Sequence, residues 1–130
     1  MNVPSDLKYT KDDEWIKFEA GQATIGITDY AQDQLSDIVY LEVSLDADAE
    51  AEKGALFGTV ESVKAAADLY LPVSGKLVAK NEGLSEAPET INSDPYEAGW
   101  IAKISLTNEE ELDELMDAAA YTKYLEERDA

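Results

Sequence analysis

The sequence has no cysteine and no histidine among its 130 residues. That removes thiol nucleophiles, Ser-His-Asp triads, thiolate or imidazole zinc sites and CxxC redox chemistry. No disulfide can form, which fits a reducing compartment. Arginine is almost missing too, with Arg128 alone near the C-terminal end. Lysine and arginine together number 10 against 29 aspartates and glutamates, a formal net charge of -19. Nucleic acid and anionic membrane surfaces need clustered cations to displace counterions, so neither is an expected partner. No apolar run approaches membrane-spanning length. The opening Met1-Asn2-Val3-Pro4-Ser5-Asp6 lacks the basic and apolar regions of a secretory signal and the arginine-rich amphipathy of a transit peptide. A soluble cytoplasmic chain is expected, or a mitochondrial-matrix one if it is a processed eukaryotic product.

What is present describes one globular unit. A length of 130 residues is near the modal domain size, and 45% hydrophobic content is ordinary for a folded protein, so the acidity does not signal disorder. A single domain over 1–130 and a monomer are expected. The negative surface repels its own copies, and it either serves solubility or salt adaptation alone or steers the chain toward basic docking faces.

The hydrophobic pattern is mainly β. Trp15–Glu19 and Ala23–Ile27 read as strands joined by a turn at Ala20-Gly21-Gln22, and Thr28 or Asp29 caps a short helix through Leu35. Asp37–Val43 returns to a strand and Asp46–Lys53 reads as an acidic loop. Gly54–Val60 and Asp68–Gly75 flank a central turn, and Lys76–Lys80 is a further strand. Asn81–Thr90, interrupted by Gly83 and Pro88, allows one helical turn, and Ser93-Asp94-Pro95-Tyr96 is a turn because the residue before proline avoids the helical region. Gly99–Leu106 alternates cleanly as a last strand. The period then changes: Thr107-Asn108-Glu109-Glu110 has capping-box spacing, with Leu112, Leu115 and Met116 behind it. Asp117 can start a second helix whose Tyr121, Tyr124 and Leu125 form a packing stripe against the sheet. The C-terminal helices thus occupy about 108–128.

The central turn, Glu61-Ser62-Val63-Lys64-Ala65, is the most informative segment. A lysine at a hairpin tip projects into water with small Ala65, Ala66 and Ala67 beside it, leaving room for another protein to approach. An exposed amine on a rigid turn is an attachment point for an acyl group, although a solvated surface charge is the plainer reading of the motif alone. Glu61 is either a recognition element for the attaching enzyme or a solvent-facing strand residue. The carboxylate runs Asp12-Asp13-Glu14 and Asp46-Asp48-Glu50-Glu52 lack the spacing and turn glycine of a calcium loop and read as solvated surface. No metal site is expected.

Over nearly its whole length the chain resembles the H proteins of the glycine cleavage system, the lipoyl carriers. The resemblance lies in Lys8-Tyr9-Thr10 with Glu14-Trp15, and in Ala23 through Gln32. It continues through Phe57-Gly58, Val60 through Ala65, Pro72-Val73-Ser74-Gly75, Ile91 through Tyr96, Gly99-Trp100, Glu111-Leu112 and Tyr121. It implies a barrel-sandwich hybrid of the lipoyl/biotinyl-carrier type with C-terminal helices, and a carrier, not an enzyme. Lipoic acid would sit in amide linkage on Lys64. The arm would receive an aminomethyl group from the pyridoxal-phosphate glycine decarboxylase and present it to the tetrahydrofolate-dependent aminomethyltransferase. Dihydrolipoamide dehydrogenase would reoxidise it, and lipoylating enzymes would install it. Within that frame Glu14, beside Trp15, and Asp68 are the candidates to meet the amine of the loaded arm.

Asp13 departs from the family pattern, which usually has histidine there. It adds negative charge that either draws the amine or points into water. The acidic Asp46–Lys53 stretch departs as well, from a loop usually containing proline and glycine. A biotinyl carrier is the nearest chemical rival, disfavoured because biotinylated lysines lie between methionines and Lys64 lies between Val63 and Ala65. An H-like protein acting as lipoyl donor to other enzymes would look almost the same in sequence, and genetic rescue of lipoylation separates the two. An independent carboxylate enzyme would turn over substrate by itself.

Overall fold

A computed structural model describes residues 2–129. Among the described residues nine strands form two antiparallel sheets. The larger sheet contains β1 (Lys8–Tyr9), β2 (Glu14–Glu19), β3 (Gln22–Ile27), β9 (Ala102–Leu106), β8 (Gly75–Lys80) and β5 (Glu50–Ala51), in the order β1-β2-β3-β9-β8-β5. The smaller contains β4 (Ile38–Val43), β6 (Leu56–Ser62) and β7 (Ala66–Tyr70), with β6 central and β7 at a free edge. Period-two alternation sends one face of each sheet inward. Ile16, Ile25, Leu77 and Ile104 from the large sheet meet Leu41, Phe57, Val60 and Leu69 from the small one in a single buried core. This is the β-rich, helix-ended architecture that the pattern implies.

A second buried cluster lies under the C-terminal helix. Leu7, Tyr9, Trp15, Tyr30, Tyr121 and Leu125 pack together, and the Tyr121 ring stacks on Tyr9 at 4.7 Å between centroids and 6° between planes. The tyrosine-leucine stripe is therefore a packing face. Asp117 starts the helix α4 (Ala118–Asp129), its carboxylate accepting the Ala120 N–H at 2.8 Å. Trp15 donates its indole N–H to Pro95 O at 2.9 Å, and a Cβ on Gly26 would lie 2.5 Å from that indole nitrogen, so the ring occupies the space glycine leaves.

Several boundaries differ from the sequence expectation. The 46–53 stretch is not all loop: Glu50–Ala51 pairs with Lys76 and Gly75. The strands about the central turn are Leu56–Ser62 and Ala66–Tyr70, not 54–60 and 68–75, and the turn itself shrinks to three residues. The last strand begins at Ala102 rather than Gly99, although Ile101 still donates its N–H to Ile25 O at 2.8 Å. Residues 81–93 hold two short helical turns, α2 (Gly83–Glu86) and α3 (Thr90–Ser93), instead of one. Thr107 does not cap the helical segment after the last strand. Asn108 does, accepting from Glu110 N at 3.2 Å, and Glu109–Glu114 is a 3-10 helix. Five of those six residues are carboxylates, and Glu111 leaves the turn to bind the backbone N–H and hydroxyl of Ser74 at 2.6 and 2.8 Å.

Candidate functional site

The tip of the β6–β7 hairpin is held from within and from behind. Ser62 N donates to Ala65 O at 2.7 Å, closing the turn over Val63, Lys64 and Ala65. The Ser62 hydroxyl oxygen accepts from Ala65 N at 3.0 Å and Lys64 N at 3.3 Å, satisfying two turn donors that would otherwise face water. Val63 N donates to Asp37 O at 3.0 Å, pinning the tip to the start of β4. The backbone is fixed while Lys64 and Ala65 stay exposed and Val63 keeps 66% of its surface. Lys64 thus stands on a rigid support with its amine in solvent.

Glu61 is exposed on the outer face of the small sheet, in register with Tyr40 on β4 and Ala66 on β7. Thr59 lies between Glu42 and Asp68 on the same face. Three carboxylates therefore share the outer surface that leads to the lysine.

Beside the hairpin, between α1 (Asp29–Leu35) and the edge strand β7, lies a hollow of about 290 Å³. Ile27, Ala31, Leu35, Val60, Ala67 and Leu69 give it an apolar floor, and Asp12, Asp13, Asp68, Tyr30 and Arg128 border it. Thr28 caps α1 by accepting Ala31 N at 3.2 Å, which sets the angle at which Ala31 and Leu35 face the sheet. Asp68 is exposed here and, among the described residues, its side chain accepts one long contact, 3.5 Å, from the Tyr70 hydroxyl.

Glu14 lies in a neighbouring cleft of about 280 Å³, lined also by Thr10, Tyr70, Leu71 and Met116. Asp12 borders both hollows, so the two candidate carboxylates sit on either side of it rather than in one pocket. Glu14 is 1% exposed. Burial pushes its carboxyl up to about 8, with Asp12 and Asp13 adding to the rise and hydrogen bonds from Tyr70 N and the Thr10 hydroxyl opposing it. A further hollow, about 720 Å³ and lined by Glu50, Lys53, Thr107 and Glu111 among others, shares no residue with the hairpin tip.

Asp13 neither draws on solvent nor presents a free charge to the hollow. Arg128 grips it with two bonds, 3.0 Å to Oδ1 and 2.6 Å to Oδ2, and the Tyr121 hydroxyl donates to Oδ1 at 2.9 Å. The residue adopts φ 65°, a conformation that aspartate tolerates better than most side chains. Sequence reasoning missed this pairing, and it missed the apolar floor. The signal for the floor was the i, i+4 spacing of Ala31 and Leu35; the Asp13–Arg128 pair is separated by 115 positions and left no local signal.

Two sheets face to face, with an exposed lysine held at a hairpin tip beside an apolar hollow, make up a domain of the barrel-sandwich type. Comparison with known proteins makes this specific. Residues 7–128 match the model of the family described as Glycine cleavage H-protein. The glycine cleavage system H protein of Carboxydothermus hydrogenoformans is 53% identical over 125 residues, covering 96% of this chain and 95% of its own. That of Anaeromyxobacter sp. strain K is 47% identical over 129 residues, covering 99% and 100%. The crystal structure of the H protein from Mycobacterium marinum superposes with a TM-score of 0.85 at 33% identity, over 94% of this chain and 98% of that one. The chain belongs to the glycine cleavage H-protein family. Among the described residues no helix is long and apolar enough to cross a membrane.

Proposed function

We propose that this chain is the lipoyl shuttle of glycine cleavage and that the lipoyl group is joined in amide linkage to Lys64. The observation that carries the assignment is the placement of Lys64: an exposed amine on a turn whose own donors are satisfied, next to an apolar hollow that begins three residues along the chain at Ala67. That hollow fits a short alkyl tether with a dithiolane end. When attached, the dithiolane would supply the sulfur for the aminomethyl group passed from the glycine decarboxylase to the aminomethyltransferase, and the dithiol left behind would be the substrate that dihydrolipoamide dehydrogenase reoxidises.

The chain's own residues perform positioning and shelter. The fixed tip keeps the tether's base at one place, which raises the concentration of its far end at a docked active site. Ile27, Leu35 and Val60 offer the tether a dry resting place. Asp68, exposed at the border of the hollow, and, past Asp12, the buried Glu14 offer the cationic amine carboxylate partners, and the approaching amine favours the ionised form of Glu14. Glu61 marks the approach for the lipoylating enzyme from the outer face of the small sheet. The whole domain, residues 1–130, acts as one carrier.

Replacement of Lys64 by arginine tests the assignment. The side chain is exposed, so the fold is retained, but a guanidinium cannot form the lipoyl amide. The expected result is an unaltered thermal midpoint, no mass increment after incubation with a lipoylating enzyme, and no glycine cleavage in the reconstituted system. A lipoyl increment on the variant would place the attachment elsewhere.

A further inference from the structure

We propose that Arg128 is a positioning residue for the loaded arm: held by Asp13 and by two tyrosine rings, it walls one end of the hollow and withdraws one carboxylate from it. This rests on the reading of that hollow as the resting place of the arm.

The chain's one arginine is unusually constrained for a residue so near a terminus. Its guanidinium makes the two-point grip on Asp13, and its carbon centre lies 4.7 Å from the Tyr30 ring centroid and 5.0 Å from that of Tyr124. A planar cation stacked on aromatic faces and locked to a carboxylate has little rotamer freedom left. Its side chain keeps 31% of its surface and that of Asp13 only 14%, so the pair forms a border of the hollow rather than a solvated ornament. The Asp13 hydrogen bond holds the guanidinium in its charged form more firmly still.

The pair has two effects on a cationic amine entering the hollow. First, Asp13 is already neutralised, whereas among the described residues Asp12 and Asp68 belong to no ion pair. The amine is thereby directed to the Asp12–Asp68 side, which borders Glu14, and away from the C-terminal helix. Second, the guanidinium, though itself partly in solvent, fills that end of the hollow and narrows the path by which water enters it. Water is the competitor here: its oxygen adds to the methylene carbon, the C–S and C–N bonds break, and formaldehyde, ammonia and the free thiol result with no change of oxidation state.

The test uses lipoylated, aminomethyl-loaded protein without partner enzymes. Intact mass follows the rate of loss in the parent, Arg128→Ala and Arg128→Lys, with aminomethylated free lipoamide as reference. The thermal midpoint of each is measured loaded and unloaded. Arg128→Ala is expected to speed loss by about fivefold, less than a direct charge-assisted contact would give because Arg128 acts through Asp13 and the wall of the hollow, and to shrink the rise in midpoint that loading produces. Arg128→Lys, which keeps the charge without the fork or the stack, is expected to fall between the two. Equal loss in parent and Arg128→Ala overturns the proposal. So does faster loss with an identical fall in loaded and unloaded midpoints, which would make Arg128 a fastening for α4 alone. A parent that sheds the group as fast as free lipoamide overturns the arm-hollow reading itself, and this proposal with it.

Discussion

The carboxylate of Glu14, in the large sheet, accepts the backbone N–H of Tyr70, in the small one, at 2.9 Å across 56 positions of sequence. Tyr70 lies on β7, the free edge of its sheet, where an outward-pointing N–H has no neighbouring strand to bind. Glu14 satisfies it, and in doing so fastens the edge of the hairpin that carries Lys64 to the wall of the barrel. One buried group thus has a structural bond and, on the proposed function, a role toward the arm.

That buried carboxyl makes stability depend on pH in a predictable direction. Its folded value, about 8, lies above the 4.5 of an ordinary glutamate in an unfolded chain. Between those two values the folded state binds more protons than the unfolded chain, so this group's contribution to stability falls as pH rises through the window and is level outside it. Glu14→Gln keeps an oxygen to accept the Tyr70 N–H but cannot ionise. Urea unfolding of parent and variant from pH 4.5 to 8.5 should show the variant gaining on the parent as pH rises. A constant difference across the series would mean that Glu14 is ionised at little penalty.

The same substitution bears on the loaded arm. A cationic amine brought beside Glu14 favours the carboxylate over the acid, and an amide offers only a neutral acceptor. Lipoylated Glu14→Gln should therefore release the aminomethyl group faster than the parent, by roughly tenfold for one lost charge pair. The decay of loaded protein by intact mass decides it, and equal rates would remove Glu14 from the arm's path.

How much of this was legible before the structure depended on how local the cause was. Trp15–Glu19, Ala23–Ile27 and a cap at Thr28 or Asp29, which proves to be Thr28, were readable because alternation and capping act within a few residues. The place of Lys64 at an exposed hairpin tip was readable because the apolar segments on either side of it read as strands. The two-residue strand Glu50–Ala51 was not, since its composition is that of an acidic loop and only its pairing with Lys76 and Gly75 makes it a strand. The 3-10 form of Glu109–Glu114 was hidden for a similar reason: helical spacing of Leu112 and Leu115 is present, but Glu111 is drawn to Ser74. Asp13 illustrates the limit best. Its partner is Arg128, and nothing in either local stretch says that the two meet.

The turn at the hairpin tip depends on one hydroxyl. Ser62 accepts from both Lys64 N and Ala65 N, and alanine there removes the acceptor without opening a cavity, since the residue is only half-buried. Ser62→Ala should lower stability by about 1 kcal/mol, the usual size of a lost local hydrogen bond. The larger effect should be on the tip: faster amide exchange at Lys64 and Ala65, and slower lipoylation as the amine's position blurs. Hydrogen exchange read by NMR, with lipoylation followed by mass, checks both. Protection at Lys64 equal to that of the parent would show that the Asp37 O contact to Val63 suffices.

Charge should govern how fast partners find this chain rather than how long they stay. Net charge is -19, and the outer face of the small sheet adds a local array of Glu42, Glu61 and Asp68 along the approach to Lys64. Exposed charges act over about a Debye length, roughly 8 Å at physiological ionic strength, so their pull on a basic docking face is screened by salt. Their main effect falls on the association rate, because steering operates before contact. Stopped-flow mixing with the glycine decarboxylase across a salt series should show association slowing steeply while dissociation changes little. Glu42→Gln and Glu61→Gln together should flatten the salt dependence more than two neutralised carboxylates outside the small sheet, Glu19 on β2 and Glu126 on α4, both of them exposed. A salt-independent association rate, or equal effects from the two pairs, would leave the acidity to solubility and not to docking.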